Sequence, residues 1–254
     1  MLLVCLLNIY GMDLYMMEKP SIIWITVASS GIGYALSAKL LAEGNIVIAT
    51  ARHGDKLQTL KGNYAEKLHI YQLDVTDEIG VKEFCLQITE KFNHIDTMIL
   101  NAGICEYINW PDFDLKILHR NMNTNFWGIA NRNCIAYGIK ALQGSANPYI
   151  VGMASSAAII GLPRAEGYGS SKAAVRYLLQ CLQVQYYNSN ITISIVTPGF
   201  VKTELTSKKD ETYYCGAYWR YGFHEDGLVS GLHVTALLDS IASMEISGLR
   251  SQKQ

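Results

Sequence analysis

Ile22-Ile23-Trp24-Ile25-Thr26-Val27-Ala28-Ser29-Ser30-Gly31-Ile32-Gly33 is the stretch from which the architecture follows. It opens as an apolar, β-branched run of strand length and closes in small residues and glycines, where a helical pattern begins. An apolar run without polar alternation suits a strand buried on both faces, as in a parallel sheet. Small residues at the junction let the backbone approach a pyrophosphate closely. A helix starting there adds unsatisfied N–H groups and the positive end of its dipole. The strict Gly-x-Gly-x-x-Gly pattern is absent, because Leu36 stands where the third glycine would be. Taken alone, the stretch reads almost as well as an ordinary strand-to-helix turn.

Working outward, similar apolar runs recur at 46–50, 69–73, 97–100, 149–153 and 191–196, with the first at 22–27. Between them lie helical patterns, at 34–43, 78–92, 114–136 and 166–186. This alternation predicts an α/β fold, a Rossmann-like doubly wound parallel sheet with helices on both faces. No repeat, low-complexity stretch or linker interrupts the chain before about residue 203, so a single domain is expected. Residues 1–20 read as an N-terminal extension outside the fold, 21–205 as the dinucleotide-binding and catalytic core, and 206–254 as a diverged C-terminal segment.

Bulk properties narrow the function. The 254 residues are 50% hydrophobic and 17% charged with a net charge of −1, the profile of a soluble globular protein. A charge near zero removes the electrostatic case for nucleic acid or an anionic membrane as partner. Cys5, Cys85, Cys105, Cys134, Cys181 and Cys215 show no Cys-x-x-Cys spacing, which predicts neither zinc nor a disulfide framework but a reducing cytosol. The apolar run at 1–7 lacks a basic flank and cleavage site, and is too short to cross a bilayer. Met16 and Met17, just before the first strand, make a misassigned start one explanation of the extension.

Two local readings carry chemistry. The second strand ends Ala49-Thr50-Ala51-Arg52-His53, where such folds read the adenosine ribose. An acidic residue there would favour a free 2′-hydroxyl, whereas Arg52 suits a 2′-phosphate; a solvated strand-end arginine is the bland alternative. Tyr168 and Lys172 stand four residues apart in a helical stretch, one turn apart on one face. A nearby ammonium favours a phenolate, so Lys172 is expected to bring Tyr168 down toward the working range of a general acid/base. Tyr15 and Lys19 repeat the spacing before any fold element and take no role.

In order along the chain, six features resemble the short-chain dehydrogenase/reductase family, over roughly residues 21–205. Thr26 to Gly33, with Ser29, Ser30, Gly31 and Ile32, resembles its Thr-Gly-x-x-x-Gly-x-Gly loop. Asp74, followed by Val75, resembles the acidic residue at the adenine. Asn101-Ala102-Gly103 resembles the turn closing the fourth strand, and Asn125 the catalytic-helix asparagine. Ser155, with Pro163 and Tyr168 beyond it, resembles the catalytic serine. Pro198-Gly199, then Val201 and Thr203, resembles the segment lining the nicotinamide. The resemblance implies an NADP(H)-dependent oxidoreductase, with NAD(H) as the less favoured cofactor and no metal. Tyr168 would exchange a proton with the carbonyl or alcohol oxygen, and Ser155 would hold that oxygen. Lys172 would hold the nicotinamide ribose and bias Tyr168, and Asn125 would hold a relay water. The family is usually dimeric or tetrameric, which allows a homo-oligomer here.

The chain departs from that pattern twice. Val27 stands at the family's first glycine, a costly place for a β-branched side chain if the backbone there has positive φ. After about Thr206 the resemblance ends, and an aromatic-rich run occupies 213–223. That run either caps a pocket for a hydrophobic small-molecule substrate or belongs to a diverged, poorly packed tail. Two rival functions follow: a catalytically impaired NADP-binding homologue, and a degenerate product that does not fold stably.

Overall fold

The computed structural model describes residues 20–130, 134–199 and 201. By its internal contacts the chain divides into Met1–Pro198 with Thr203–Leu205, and Gly199–Lys202 with Thr206–Gln254. The architecture below is that of the first unit.

Its strands are β1 (Ile22–Thr26), β2 (Ile46–Ala51), β3 (Leu68–Gln72), β4 (Thr97–Leu100), β5 (Tyr149–Met153) and β6 (Thr192–Val196). They form one parallel sheet in the order β3-β2-β1-β4-β5-β6. The order reverses between β1 and β4, so a crevice opens at their carboxyl ends, where open α/β sheets bind ligands. The helices are α1 (Gly31–Ala42), α2 (Asp55–Lys61), α3 (Glu78–Phe92), α4 (Leu115–Met122), α5 (Cys134–Leu142) and α6 (Glu166–Gln185).

Burial on both faces follows from side-chain alternation along the strands. On one face Trp24, Ile48, Met98, Leu100 and Ile150 pack with Val81, Phe84 and Ile88 of α3 and Val175 and Leu179 of α6. On the other, Ile23, Ile25, Val47, Ala49, Ile99 and Val151 pack with Leu36, Leu40 and Leu41 of α1 and Leu57 of α2. The buried Trp24 indole is satisfied by donating to Thr50 Oγ1 at 3.1 Å, which avoids the cost of an orphaned polar group. The expected doubly wound sheet is thus the observed one.

Two local differences stand out. Helix α2 is not legible in the sequence, because it is seven residues long and buries only Leu57. The single helix expected over 114–136 is interrupted: α4 runs into a π-helical segment, Asn123–Trp127, before a short turn at Gly128–Ala130. Asn125 is the buried residue of that segment, and single π turns of this kind cluster at functional sites. The readings made on residues 1–19 and 202–254, including Thr203 and the aromatic run, lie outside the described residues.

Candidate active site

The phosphate loop connects β1 to α1. Val27 has φ 50° and Gly31 has φ 51°, so the backbone enters the left-handed region twice. Glycine takes that conformation freely, but a β-branched residue does not. Ser30 is the N-cap residue of α1, and its side chain makes no capping bond, so no side chain of its own covers the first helical N–H groups. At Gly33 a Cβ would overlap the Val27 carbonyl oxygen and stand 2.7 Å from Asn101 Nδ2. The loop is therefore tight against β4 and open at the helix end.

Thr26 faces inward instead of into the crevice. Its hydroxyl accepts from the backbone N–H of Asn101 (2.8 Å) and of Ala102 (3.0 Å), stitching β1 to the turn after β4. Asn101 Nδ2 returns to the Thr26 and Val27 carbonyl oxygens, both at 3.2 Å. Ala102 is buried and Gly103 passes close under Lys172, where an added Cβ would lie 3.1 Å from Nζ. Asp74 is partly buried, and one of its oxygens accepts from the Thr76 N–H (2.9 Å) and hydroxyl (2.8 Å), an Asx turn at the end of β3. Val75 is a core side chain packed against Gly128. Arg52 is exposed at the end of β2, with no hydrogen-bond or ion-pair partner among the described residues.

The catalytic candidates meet at the carboxyl ends of β4 and β5. Ser155 follows β5 and caps the 3₁₀ turn Ser156–Ala158 by accepting from the Ala157 N–H at 3.2 Å. Its neighbour Ser156 donates its N–H to Pro198 O at 2.9 Å, which ties this turn to the end of β6. Tyr168 and Lys172 lie in the first turns of α6. Ser155 lies near the Tyr168 hydroxyl, where it favours the ionised form. Lys172 is buried, with Nζ donating to Met153 O at 2.9 Å and to Ala102 O at 3.4 Å. Asn125 holds the chain after β4: Nδ2 donates to Ile104 O (2.8 Å) and Ser171 Oγ (2.9 Å), while Oδ1 accepts from Ile104 N (2.7 Å). Ser171 in turn donates to Tyr168 O at 2.7 Å. The same loop is pinned to α4 by an Arg120–Glu106 pair at 2.6 Å.

Electrostatics correct one expectation. Tyr168 is raised above the ordinary tyrosine value, by burial first, against the opposing effect of Ser155. Lys172 is itself brought down to about 8 by desolvation, with nearby Cys105 pulling the other way. Cys105 itself is pushed up to about 11 by burial. A thiol near the tyrosine and lysine is not evident beforehand, since in sequence Cys105 is one of six scattered cysteines without pairing spacing. Among the described residues no group of three or more His, Cys, Asp or Glu is arranged to hold a metal, and no helix is long and apolar enough to cross a membrane.

The buried lysine has a measurable consequence. Below about pH 8 Lys172 is protonated folded and unfolded, and the folded state bears the full cost of burying the charge. Between about 8 and 10.5 the folded protein has released that proton and the unfolded chain has not, so the cost falls as pH rises. Lys172→Met should therefore gain stability on the native chain at pH 7, offset by the Met153 and Ala102 carbonyl oxygens that it leaves without a donor. The gap in urea unfolding should close toward pH 10.5, and a gap independent of pH would contradict the buried charge.

Comparisons with known proteins agree with this geometry. The family model for short chain dehydrogenases matches residues 21–214. The chain is 35% identical over 188 residues to an uncharacterised oxidoreductase of Schizosaccharomyces pombe, covering 74% of this chain and 63% of that protein's length. It is 31% identical over 192 residues to the 3-oxoacyl-acyl-carrier-protein reductase FabG of Rickettsia prowazekii, covering 74% and 75%. Among solved structures, ElxO with NADP bound superposes with a TM-score of 0.68 at 31% identity, covering 73% of this chain and 76% of that one.

Proposed function

Because this chain belongs to the short-chain dehydrogenase family of oxidoreductases, we propose that it interconverts a carbonyl and an alcohol with NADP(H), using Tyr168 as the general acid/base. The observation that carries this reading is the convergence of Ser155, Tyr168 and Lys172 beside the open end of the phosphate loop. The loop fits a dinucleotide: the positive φ of Gly31 and the missing Cβ of Gly33 leave the backbone close, and α1 presents its N-terminus. NADP(H) supplies the hydride when bound.

The chain's own residues do the rest. Ser155 binds the substrate oxygen and orients it against Tyr168. Burial keeps the Tyr168 hydroxyl protonated, the form that can donate a proton to a carbonyl oxygen during reduction. Lys172, one helical turn on, holds the nicotinamide ribose and supplies a proton near neutral pH, consistent with its lowered value of about 8. Asn125 positions the Ile104 backbone and, through Ser171, the first turn of α6. Asp74 and Val75 serve the adenine side, and Pro198 the nicotinamide side. Asn101, Ala102 and Gly103 form the floor between them. The substrate is a small hydrophobic carbonyl compound or alcohol, and a reducing compartment suits Cys85, Cys105, Cys134 and Cys181 as free thiols.

NADP is preferred over NAD because Arg52, exposed at the end of β2 and without a partner among the described residues, is available to a 2′-phosphate. Fluorescence titration tests this directly. Arg52→Ala should weaken NADPH binding by roughly 10- to 100-fold, the worth of one charge-assisted contact, and leave NADH nearly unchanged. Equal losses for both cofactors would remove Arg52 from the site. A second reading, an NADP-binding homologue with impaired catalysis, draws on the left-handed Val27. NADPH binding without NADPH consumption across a panel of ketones and aldehydes would favour it.

A further inference from the structure

Of the three non-glycine residues with positive φ among the described ones, Val27, Asn93 and Arg164, only Val27 is β-branched. It sits at the base of the phosphate loop, and its side chain packs on the core between β1 and the helices. Nothing in its own chemistry favours φ 50°. The conformation must be imposed by its surroundings.

The surroundings are specific. Asn101 Nδ2 donates to the carbonyl oxygens of both Thr26 and Val27 at 3.2 Å, flanking the strained residue from one side chain. The Asn101 backbone is itself held by Thr26 Oγ1 at 2.8 Å, so the amide has little freedom to follow a shifting loop. Rotation of Val27 to negative φ would re-aim its carbonyl and break the second of those bonds. From this geometry we infer that Asn101 is a positioning residue: its amide holds Val27 left-handed and so keeps the phosphate loop competent for the dinucleotide.

The inference rests on the proposed cofactor role of the loop and adds a coupling particular to this chain. With valine at 27, the clamped conformer competes with a relaxed one of lower backbone strain. Removing the amide shifts population to the relaxed conformer, and the apparent cofactor affinity falls by the competent fraction that remains. With glycine at 27 the strain is gone, and the amide has far less to oppose.

The test is a double-mutant cycle on the full chain, read by NADPH fluorescence titration and by urea unfolding without cofactor. Asn101→Ala should weaken NADPH binding roughly 30-fold with Val27 present and only about threefold in Val27→Gly. Val27→Gly alone should tighten binding by about three- to tenfold. Equal losses in the two backgrounds, or weaker binding by Val27→Gly, would overturn the clamp. If no variant binds NADPH, the cofactor reading fails, and unfolding carries the cycle. Asn101→Ala must then destabilise the native-loop protein more than it destabilises the Val27→Gly variant, and additive effects refute the coupling. The entropy that glycine adds to the unfolded chain cancels, because it enters both arms. Should Asn101→Ala fail to fold, Asn101→Ser takes its place.

Discussion

Tyr168→Phe is expected to lower kcat/KM for carbonyl reduction by roughly 10²- to 10⁴-fold, the usual contribution of a positioned general acid. NADPH affinity should stay within about threefold, because the change removes one hydroxyl and leaves the ring in place. Ser155 keeps its Ala157 N–H contact at 3.2 Å, so the turn that carries it should not move. The pH dependence adds a second handle. Burial raises the Tyr168 hydroxyl above 10.0, so its protonated form persists through neutral pH. The native enzyme's reductive rate should therefore hold through neutral pH and fall as Lys172 gives up its proton above about 8. Alcohol oxidation, which needs the deprotonated form, should rise as pH increases. More than a tenth of native turnover in Tyr168→Phe would remove Tyr168 from proton transfer.

Gly33→Ala is the second large effect. A Cβ at residue 33 would overlap the Val27 carbonyl oxygen, with Asn101 Nδ2 at 2.7 Å and Ala28 Cα at 3.1 Å. Two of these neighbours are backbone and the third is an amide committed to two carbonyls, so none can yield cheaply. Overpacking of this kind costs roughly 1–3 kcal/mol in stability. The loss in NADPH affinity should be larger still, on the order of 100-fold, since relief requires the loop to leave its binding conformation. Gly161→Ala is the matched control, because an added Cβ there meets nothing within 4 Å among the described residues. It should alter neither urea midpoint nor NADPH affinity. Equal behaviour of the two variants would mean that the loop is looser than its geometry implies.

The elements legible in the sequence share a property: each is written in a short window. All six strands appear as apolar runs of the right length, and α3 and α6 as periodic ones. Helix α2 is not legible because one buried leucine carries no period. The break at Asn123–Trp127 is not legible either, since the partners of Asn125 within it, Ile104 and Ser171, lie 21 and 46 residues away in the chain. Arg52, Tyr168 and Lys172 are readable because residue type and position already limit their chemistry. The inward roles of Thr26 and Asn101 are not, because their partners lie 74 to 76 residues away along the chain.

By itself, then, the sequence determined the alternating parallel architecture, the family and the residues able to carry the chemistry. Hydrophobic period, helix spacing and side-chain type are local quantities, and they survive without knowledge of the fold. Only the tertiary structure decided how those residues are tuned. Desolvation depends on which remote segments exclude water, and Lys172 is buried against carbonyls 19 and 70 residues away in the chain. That burial, and not the four-residue spacing, sets the lysine near 8, and the tyrosine's own burial leaves Tyr168 a protonated donor. The strain at Val27 has the same origin, since a left-handed valine exists only where groups distant in sequence hold it there.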